Sequence, residues 1–313
     1  MLVGGSAWAG GPSNQLSNFG SVVRVLAGLS TPQTVGEFRG TGTIIGHKNI
    51  GGQGWLVVLT ADHVVAAGGF AVGATVADVG IAAGNDPTGA SNGLKAGFVA
   101  RMGSQKVDLA VLGINYGAYN DRIRNMRSLA AVDPAQPPAS FTSMGFGMGL
   151  DPDNTANEWK PDGNFGTQRF YNNKQYTITN GAIATANGYV NQCIEWKSLA
   201  PGDANAMDGQ GSIWIGDSGG PLFSNTADKE RVDGRDVAIW ANGIMGVNHM
   251  LVARKVNGAP VALPYGSMMR AVYLNQDYRT WINQQVQAVP EPAAIFGLAV
   301  GLAFLQSRRV KPA

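Results

Sequence analysis

The run Gly216-Asp217-Ser218-Gly219-Gly220-Pro221 constrains this chain more tightly than any other stretch. Three glycines in six positions let the backbone turn where a side chain would block it, and they leave little between the loop's N–H groups and whatever docks against them. A serine hydroxyl is a poor nucleophile alone. It becomes a useful one when a histidine takes its proton and backbone N–H groups meet the oxyanion that develops. A Gly-rich turn holding an ordinary serine is the simpler reading of three glycines and a serine, and the full six-residue string argues against it.

A nucleophilic Ser218 needs a base and a group to orient that base, and the chain has 3 histidines. His47, in Gly46-His47-Lys48-Asn49, reads as a solvated residue in a polar turn. His249 follows Val247-Asn248 and reads as a rim residue of a cleft or simply as surface. His63 closes the apolar run Trp55-Leu56-Val57-Val58-Leu59-Thr60-Ala61-Asp62-His63. A buried strand therefore delivers it, and rigid delivery suits a general base. The orienting group should be a carboxylate at the edge of an apolar strand, where it can accept the imidazole's other N–H and fix the tautomer. Asp108, opening Asp108-Leu109-Ala110-Val111-Leu112, fits that description. An Asp in such a place is commonly a strand cap; its position between His63 and Ser218 favours the orienting role.

These motifs resemble the trypsin/chymotrypsin-like serine peptidase family. The family's Thr-Ala-Ala-His stands here as Thr60-Ala61-Asp62-His63, its Asp-hydrophobic strand as Asp108 to Leu112, and the chain order His, Asp, Ser is the family's. Gly40-Thr41-Gly42-Thr43-Ile44-Ile45-Gly46, Gly243-Ile244-Met245-Gly246-Val247 and Ala271-Val272-Tyr273-Leu274-Asn275 with Tyr278 and Trp281-Ile282 extend the resemblance over roughly residues 17 to 286. The resemblance implies an all-β fold of two antiparallel six-stranded barrels with a C-terminal helix, no cofactor and no metal, and a protein or peptide substrate. It implies Ser218 as nucleophile, His63 as general base and then acid, Asp108 as the group holding His63, and the N–H groups of Gly216 and Ser218 as the oxyanion hole. Ser212 would lie at the base of the primary pocket, with Gly246, Val247 and Asn248 along its wall. A serine at 212 offers no charge to an Arg or Lys, so a neutral residue before the cleaved bond is expected.

The departures from the family bear on activation and compartment. Members from animals are disulfide-rich, whereas this chain has 1 cysteine, Cys193, read as a buried apolar-like residue. Many members pair a freed amino terminus with the Asp before the nucleophile, here Asp217. The start of the chain permits two readings: Leu2-Val3-Gly4-Gly5 as an activation-like end, or Ala7-Trp8-Ala9 as a signal-peptide cleavage site. We favour the second, with residues 1–9 a leader remnant.

The other end is nearly as informative. Val289-Pro290-Glu291-Pro292 is followed by uncharged residues from Ala293 to Ser307 and then by Arg308-Arg309-Val310-Lys311. As a helix that stretch would span roughly 23 Å, short of a bilayer core of about 30 Å. The prolines separate it from the folded body, and the basic end fits a cytoplasmic anchor. The tail resembles a PEP-CTERM sorting signal of Gram-negative bacteria. That resemblance implies export, transient membrane anchoring by 293–307 and removal of the tail by an exosortase.

Composition agrees with an exported β-rich chain: 44 glycines and 14% charged residues suit short strands and tight turns. The formal net charge of +2 supplies no field for nucleic acid. Apolar runs near 21–28, 40–46, 55–60, 71–82, 95–101 and 108–114 would form the first barrel (residues 10–131), with 132–138 as connection. Those near 140–147, 168–179, 189–197, 213–224, 236–248 and 267–274 would form the second (to residue 287). Asp151 to Asn173 reads as a surface loop in which Trp159 pins its own loop or touches substrate. An exported serine endopeptidase is the leading expectation. A non-catalytic or zymogen-like binding homologue is the alternative, and an esterase is less favoured because the serine motif is not a Gly-x-Ser-x-Gly elbow.

Overall fold

The computed structural model describes residues 20–30, 35–66, 78–82, 90–118, 126–185, 187–206, 211–225, 229–232, 235–238, 243–251, 254–256 and 259–289. Both expected terminal segments, the leader and the tail from Pro290, lie outside them. Among the described residues no helix is long and apolar enough to cross a membrane.

Runs rich in Val, Leu and Ile bury both faces of their strands, and these runs build the first layer. Its strands are β1 (Val22–Ala27), β2 (Val35–Ile50), β3 (Gln53–Thr60), β4 (Val79–Ala82), β5 (Ala90–Asn92), β6 (Leu94–Arg101) and β7 (Ala110–Ala118), with a one-turn helix α1 (Asp62–Val65) after β3. The sheet order is β1-β4-β6-β7-β3-β2-β5, and an additional β1–β2 ladder closes six of these strands into a barrel. Val25, Val57, Val58, Val111 and Leu112 are fully buried inside it. His47 lies within β2 rather than in a turn, its ring stacked on Tyr116 and its Nε2 hydrogen-bonded to the Tyr116 hydroxyl.

The second half contains β8 (Ser140–Gly145), β9 (Leu150–Asp153), β10 (Glu158–Pro161), β11 (Arg169–Asn173), β12 (Tyr176–Ala184), β13 (Val190–Lys197), β14 (Pro221–Asn225), β15 (Lys229–Val232), β16 (Arg235–Ala238), β17 (Ile244–Leu251), β18 (Arg254–Val256), β19 (Ala259–Pro264) and β20 (Met268–Tyr273). Seven of them form a sheet in the order β11-β8-β14-β17-β20-β13-β12, where six strands were expected. The extra strand arises because the run 168–179 divides at Lys174-Gln175 into β11 and β12. Residues 213–220, expected as strand, instead form the loop that carries Ser218, and the strand begins at Pro221.

The region from Asp151 to Asn173 is not a plain surface loop. β9 and β10 form a hairpin that extends through β19 to β18 as a four-stranded sheet. Trp159 is buried there, edge-on to Tyr265 with ring centroids 5.7 Å apart. An aromatic of this size buried on both flanks holds the hairpin by its apolar area, so Trp159 is a packing residue.

The chain ends its described part in α2 (Gln276–Ala288), capped by Asn275, whose side chain accepts the Tyr278 N–H at 3.0 Å. This helix follows the second sheet in sequence but lies on the first barrel. Glycines in β2 and β7 admit it: a Cβ at Gly46 would meet Val286 at 3.4 Å, and one at Gly113 would meet Val289 at 3.2 Å.

Candidate active site

β3 ends at Thr60, and the turn of α1 that follows presents His63, 6% exposed. Asp108 precedes β7 and is fully buried; its N–H donates to Asn191 Oδ1 on β13 at 2.9 Å, so the second sheet holds the residue in place. The carboxylate meets His63 twice. Oδ1 accepts the His63 backbone N–H at 2.8 Å, and Oδ2 faces Nδ1 at 2.7 Å. An ionised carboxylate offers only lone pairs, so Nδ1 carries the proton and the lone pair of the neutral ring is on Nε2. Burial alone would push the Asp108 carboxyl up, but the two imidazoles beside it outweigh burial and hold it well below the usual carboxylate range.

The second imidazole is His249. At a bulge of β17 between Asn248 and Met250, its Nδ1 hydrogen-bonds the same Asp108 Oδ2, and its ring stands edge-on to His63 with centroids 5.9 Å apart. Sequence reading placed this histidine at a rim or on the surface; it is buried, 6% exposed. Its partner lies 141 residues away in sequence. The bulge turns the His249 side chain inward, a cue that alternation along the strand does not carry.

Ser218 is half-buried in the loop before β14. Gly216 and Gly219 have φ of +97° and +83°, which side chains rarely adopt. A Cβ at Gly219 would lie 2.1 Å from Thr60 Oγ1 and 3.0 Å from the Ala61 nitrogen, so the loop rests directly on the turn that leads to His63. Thr41 of β2 clamps it from the first barrel: its N–H donates to the Ser218 carbonyl at 2.8 Å and its hydroxyl donates to the Gly216 carbonyl at 2.8 Å. The same hydroxyl accepts the Phe146 N–H at 3.0 Å. Among the described residues the N–H groups of Gly216 and Ser218 make no backbone hydrogen bond.

The family profile "Trypsin-like peptidase domain" matches residues 40–230, a span that includes His63, Asp108 and Ser218. The chain belongs to the trypsin-like peptidase family. No curated protein matches the sequence. Among solved structures, a mutant of human heparin binding protein is 15% identical with a TM-score of 0.48, covering 93% of this chain and 99% of its own. Human heparin binding protein itself gives 14% identity and a TM-score of 0.48, over 88% of this chain and 94% of its own. The protease Anisep from Arthrobacter nicotinovorans gives 12% and 0.43, over 83% and 93%.

In this trypsin-like peptidase, Asp217 takes its partners from the backbone. Its carboxylate accepts the Gly147 N–H and the Trp214 N–H, each at 2.8 Å. Burial pushes its pKa up to about 6 against those hydrogen bonds. A Cβ on Gly145 or Gly147 would fall 2.0 or 2.7 Å from this carboxyl group, which explains both glycines.

Ser212 is buried with no hydrogen-bond partner for its hydroxyl. Gly246, Val247 and Asn248 lie in β17 between β14 and β20 and are buried. Asn248 is fully buried and spends its amide on Ser143 Oγ at 2.9 Å and the Asp217 carbonyl at 3.2 Å. It braces the serine loop from behind. Both irregularities lie in β17, which skips Met245 against β14 and His249 against β20, so that Asn248 pairs with Gly220 and the side chain facing Asp108 comes from residue 249. In the Ser218 loop, Ile215 is a large apolar side chain left exposed, at 44%.

Asp62, which stands where the family has alanine, is fully buried and paired. Arg101 donates to both of its oxygens, at 2.6 and 2.7 Å, and the Tyr189 hydroxyl donates to Oδ2 at 2.6 Å. That hydrogen bond to Asp62 holds the Arg101 guanidinium above its ordinary value in spite of burial. The pair fixes the residue before His63 to β6. Cys193 is buried, and burial pushes its thiol up to about 12, as suits a packing residue.

His63, Asp108 and His249 are also the cluster among the described residues whose donor atoms could hold a metal ion. Both Nδ1 atoms, however, face one carboxylate oxygen at hydrogen-bond range. Ligands on one tetrahedral zinc, with bonds of about 2.0–2.1 Å, stand roughly 3.3 Å apart. The separations are those of two N–H donors on one acceptor.

Proposed function

We propose that the protein is an exported serine endopeptidase working through Ser218, His63 and Asp108. The observation that carries this reading is the buried His63–Asp108 pair, held through both Nδ1 and the backbone N–H, with the Ser218 loop packed on the turn that bears His63. His63 Nε2 would take the proton as Ser218 Oγ attacks the scissile carbonyl, and would return it to the leaving amine. Asp108 would hold the tautomer and stabilise the imidazolium that forms. The N–H groups of Gly216 and Ser218, which make no backbone hydrogen bond among the described residues, would receive the oxyanion. Water would then repeat the attack on the acyl-enzyme with the same proton route.

Residue preference is open to the same experiment. By the family resemblance Ser212 would stand at the base of the primary pocket, where it supplies no charge, which favours a neutral residue before the cleaved bond. Incubation of the purified protein with a mixed peptide library, with cleavage mapped by mass spectrometry, should reveal cuts after neutral residues that vanish in Ser218→Ala. Removing a triad member typically lowers turnover by about 10⁴ to 10⁶. Cuts that persist in the variant, or none in the wild type, would favour a binding role instead. Export and tail removal rest on the sequence of the tail; the mass of the protein recovered from the surface of producing cells should lack the residues after the Pro290-Glu291-Pro292 break.

A further inference from the structure

We propose that His249 is a positioning residue: a neutral second imidazole that donates its Nδ1–H to the Asp108 oxygen already holding His63, and through that oxygen sets how basic His63 is. The proposal rests on the reading of His63 as general base.

Asp108 Oδ2 faces two Nδ1 atoms, and an ionised carboxylate cannot donate, so both rings must carry their Nδ1 proton. His249 has no freedom to do otherwise. Its side chain is 2% exposed and its Nε2 is buried without a hydrogen-bond partner. A second proton on that nitrogen would need an acceptor, and the site offers none. His249 therefore stays neutral while it donates.

The surroundings agree. The groups packed around the ring are His63 from α1, Asp108 ahead of β7, and Tyr189 ahead of β13, whose ring stands edge-on to His249 with centroids 6.1 Å apart. The Tyr189 hydroxyl is committed to Asp62, and the charge of Asp62 is met by Arg101. Asp108 is thus the one unneutralised charge that His249 touches among the described residues. Asn191, which fixes the Asp108 N–H, carries none.

Two donors on one oxygen do two things. They hold the carboxylate in a single orientation, and they withdraw part of the charge that would otherwise favour a proton on His63. Without His249, Asp108 would pull harder on the His63 imidazolium, and the free base needed for attack would appear only at higher pH. Asn is the informative replacement because its Nδ2–H can stand near the position of the histidine Nδ1–H, whereas Leu keeps volume without a donor.

The experiment measures kcat/KM against pH for wild type, His249→Leu and His249→Asn, together with ¹⁵N-histidine NMR of the wild type and His249→Asn. The acid limb in His249→Leu should move up by about one pH unit, with kcat lowered on the order of tenfold and KM little changed, and His249→Asn should recover most of both. The wild type should show two far-downfield Nδ1–H resonances and His249→Asn one. A single such resonance in the wild type, or an acid limb in His249→Leu that coincides with the wild type, overturns the proposal. Should the leucine variant fail to fold, the resonance count and the asparagine profile still decide it. Absence of turnover in the wild type would instead count against the peptidase reading, and the resonance count would then test the role of His249 alone.

Discussion

Two buried aspartates near Ser218, Asp108 and Asp217, are shifted in opposite senses, and each leaves its own mark on stability. Asp108 is held below its ordinary value, so its contribution is complete above about pH 4 and is lost as pH falls further. Asp217 sits at about 6, above its unfolded value near 3.8, and between those two values the folded protein binds more protons than the unfolded chain. Stability should therefore fall as pH rises from about 4 to about 6, by up to about 3 kcal/mol for a shift of this size. Urea denaturation of wild type and Asp217→Asn from pH 4 to 7 checks it. The variant lacks the charge, so it should keep a fixed cost, one amide facing a backbone N–H, while the gap to the wild type narrows as pH rises. A gap that stays constant would mean that Asp217 is not buried with backbone partners as described. At this scale the pairing of His63 with Asp108 could be anticipated because each sits in a short motif at a strand end, and the structure brings the two together. His249 could not, because nothing local marks it; only the bulge in β17 and a partner 141 residues away give it a role.

Strands and their edges decide how the Ser218 loop is held. β2 contributes Thr41, fully buried, with its hydroxyl engaged to both the Gly216 carbonyl and the Phe146 N–H. Thr41→Val keeps the shape and the β-branch but strands both partners. Each buried group left unmatched costs roughly 1–3 kcal/mol, so the loss for the two should be about 2–6 kcal/mol. Turnover should suffer as well, since Gly216 would lose the anchor on its carbonyl. The midpoint in urea and kcat for the variant test this together; a stable variant with lowered kcat would locate the effect in the loop alone, and a variant equal to wild type in both would refute the clamp. Gly40-Thr41-Gly42 stood out in the sequence, but its purpose did not, because the motif shows no partner. The strands of the first barrel were readable from their continuous apolar runs, such as Trp55 to Leu59. The β9–β10 hairpin was hidden by its Asn, Asp and Gly content, which reads as loop, although Trp159 faces inward there against Tyr265.

Across the whole molecule the site is assembled from two sheets. The first barrel supplies His63 after β3 and Asp108 before β7, and the second supplies Ser218 before β14 and His249 on β17. The cross-ties are specific: Thr41 to the Ser218 carbonyl, Asn191 to the Asp108 N–H, and His249 to Asp108 itself. A two-sheet, mostly β architecture closed by a C-terminal helix could be foreseen from run lengths and motif order. The seventh strand of the second sheet could not, since one apolar run from 168 to 179 conceals a break at Lys174-Gln175. The central claim is that this assembly makes Ser218 a nucleophile, and its most direct test is labelling with a fluorophosphonate followed by peptide mapping. The account predicts one equivalent of label on Ser218, with labelling slowed by several orders of magnitude in His63→Ala. Label absent from Ser218, or attached at the same rate in His63→Ala, would contradict it.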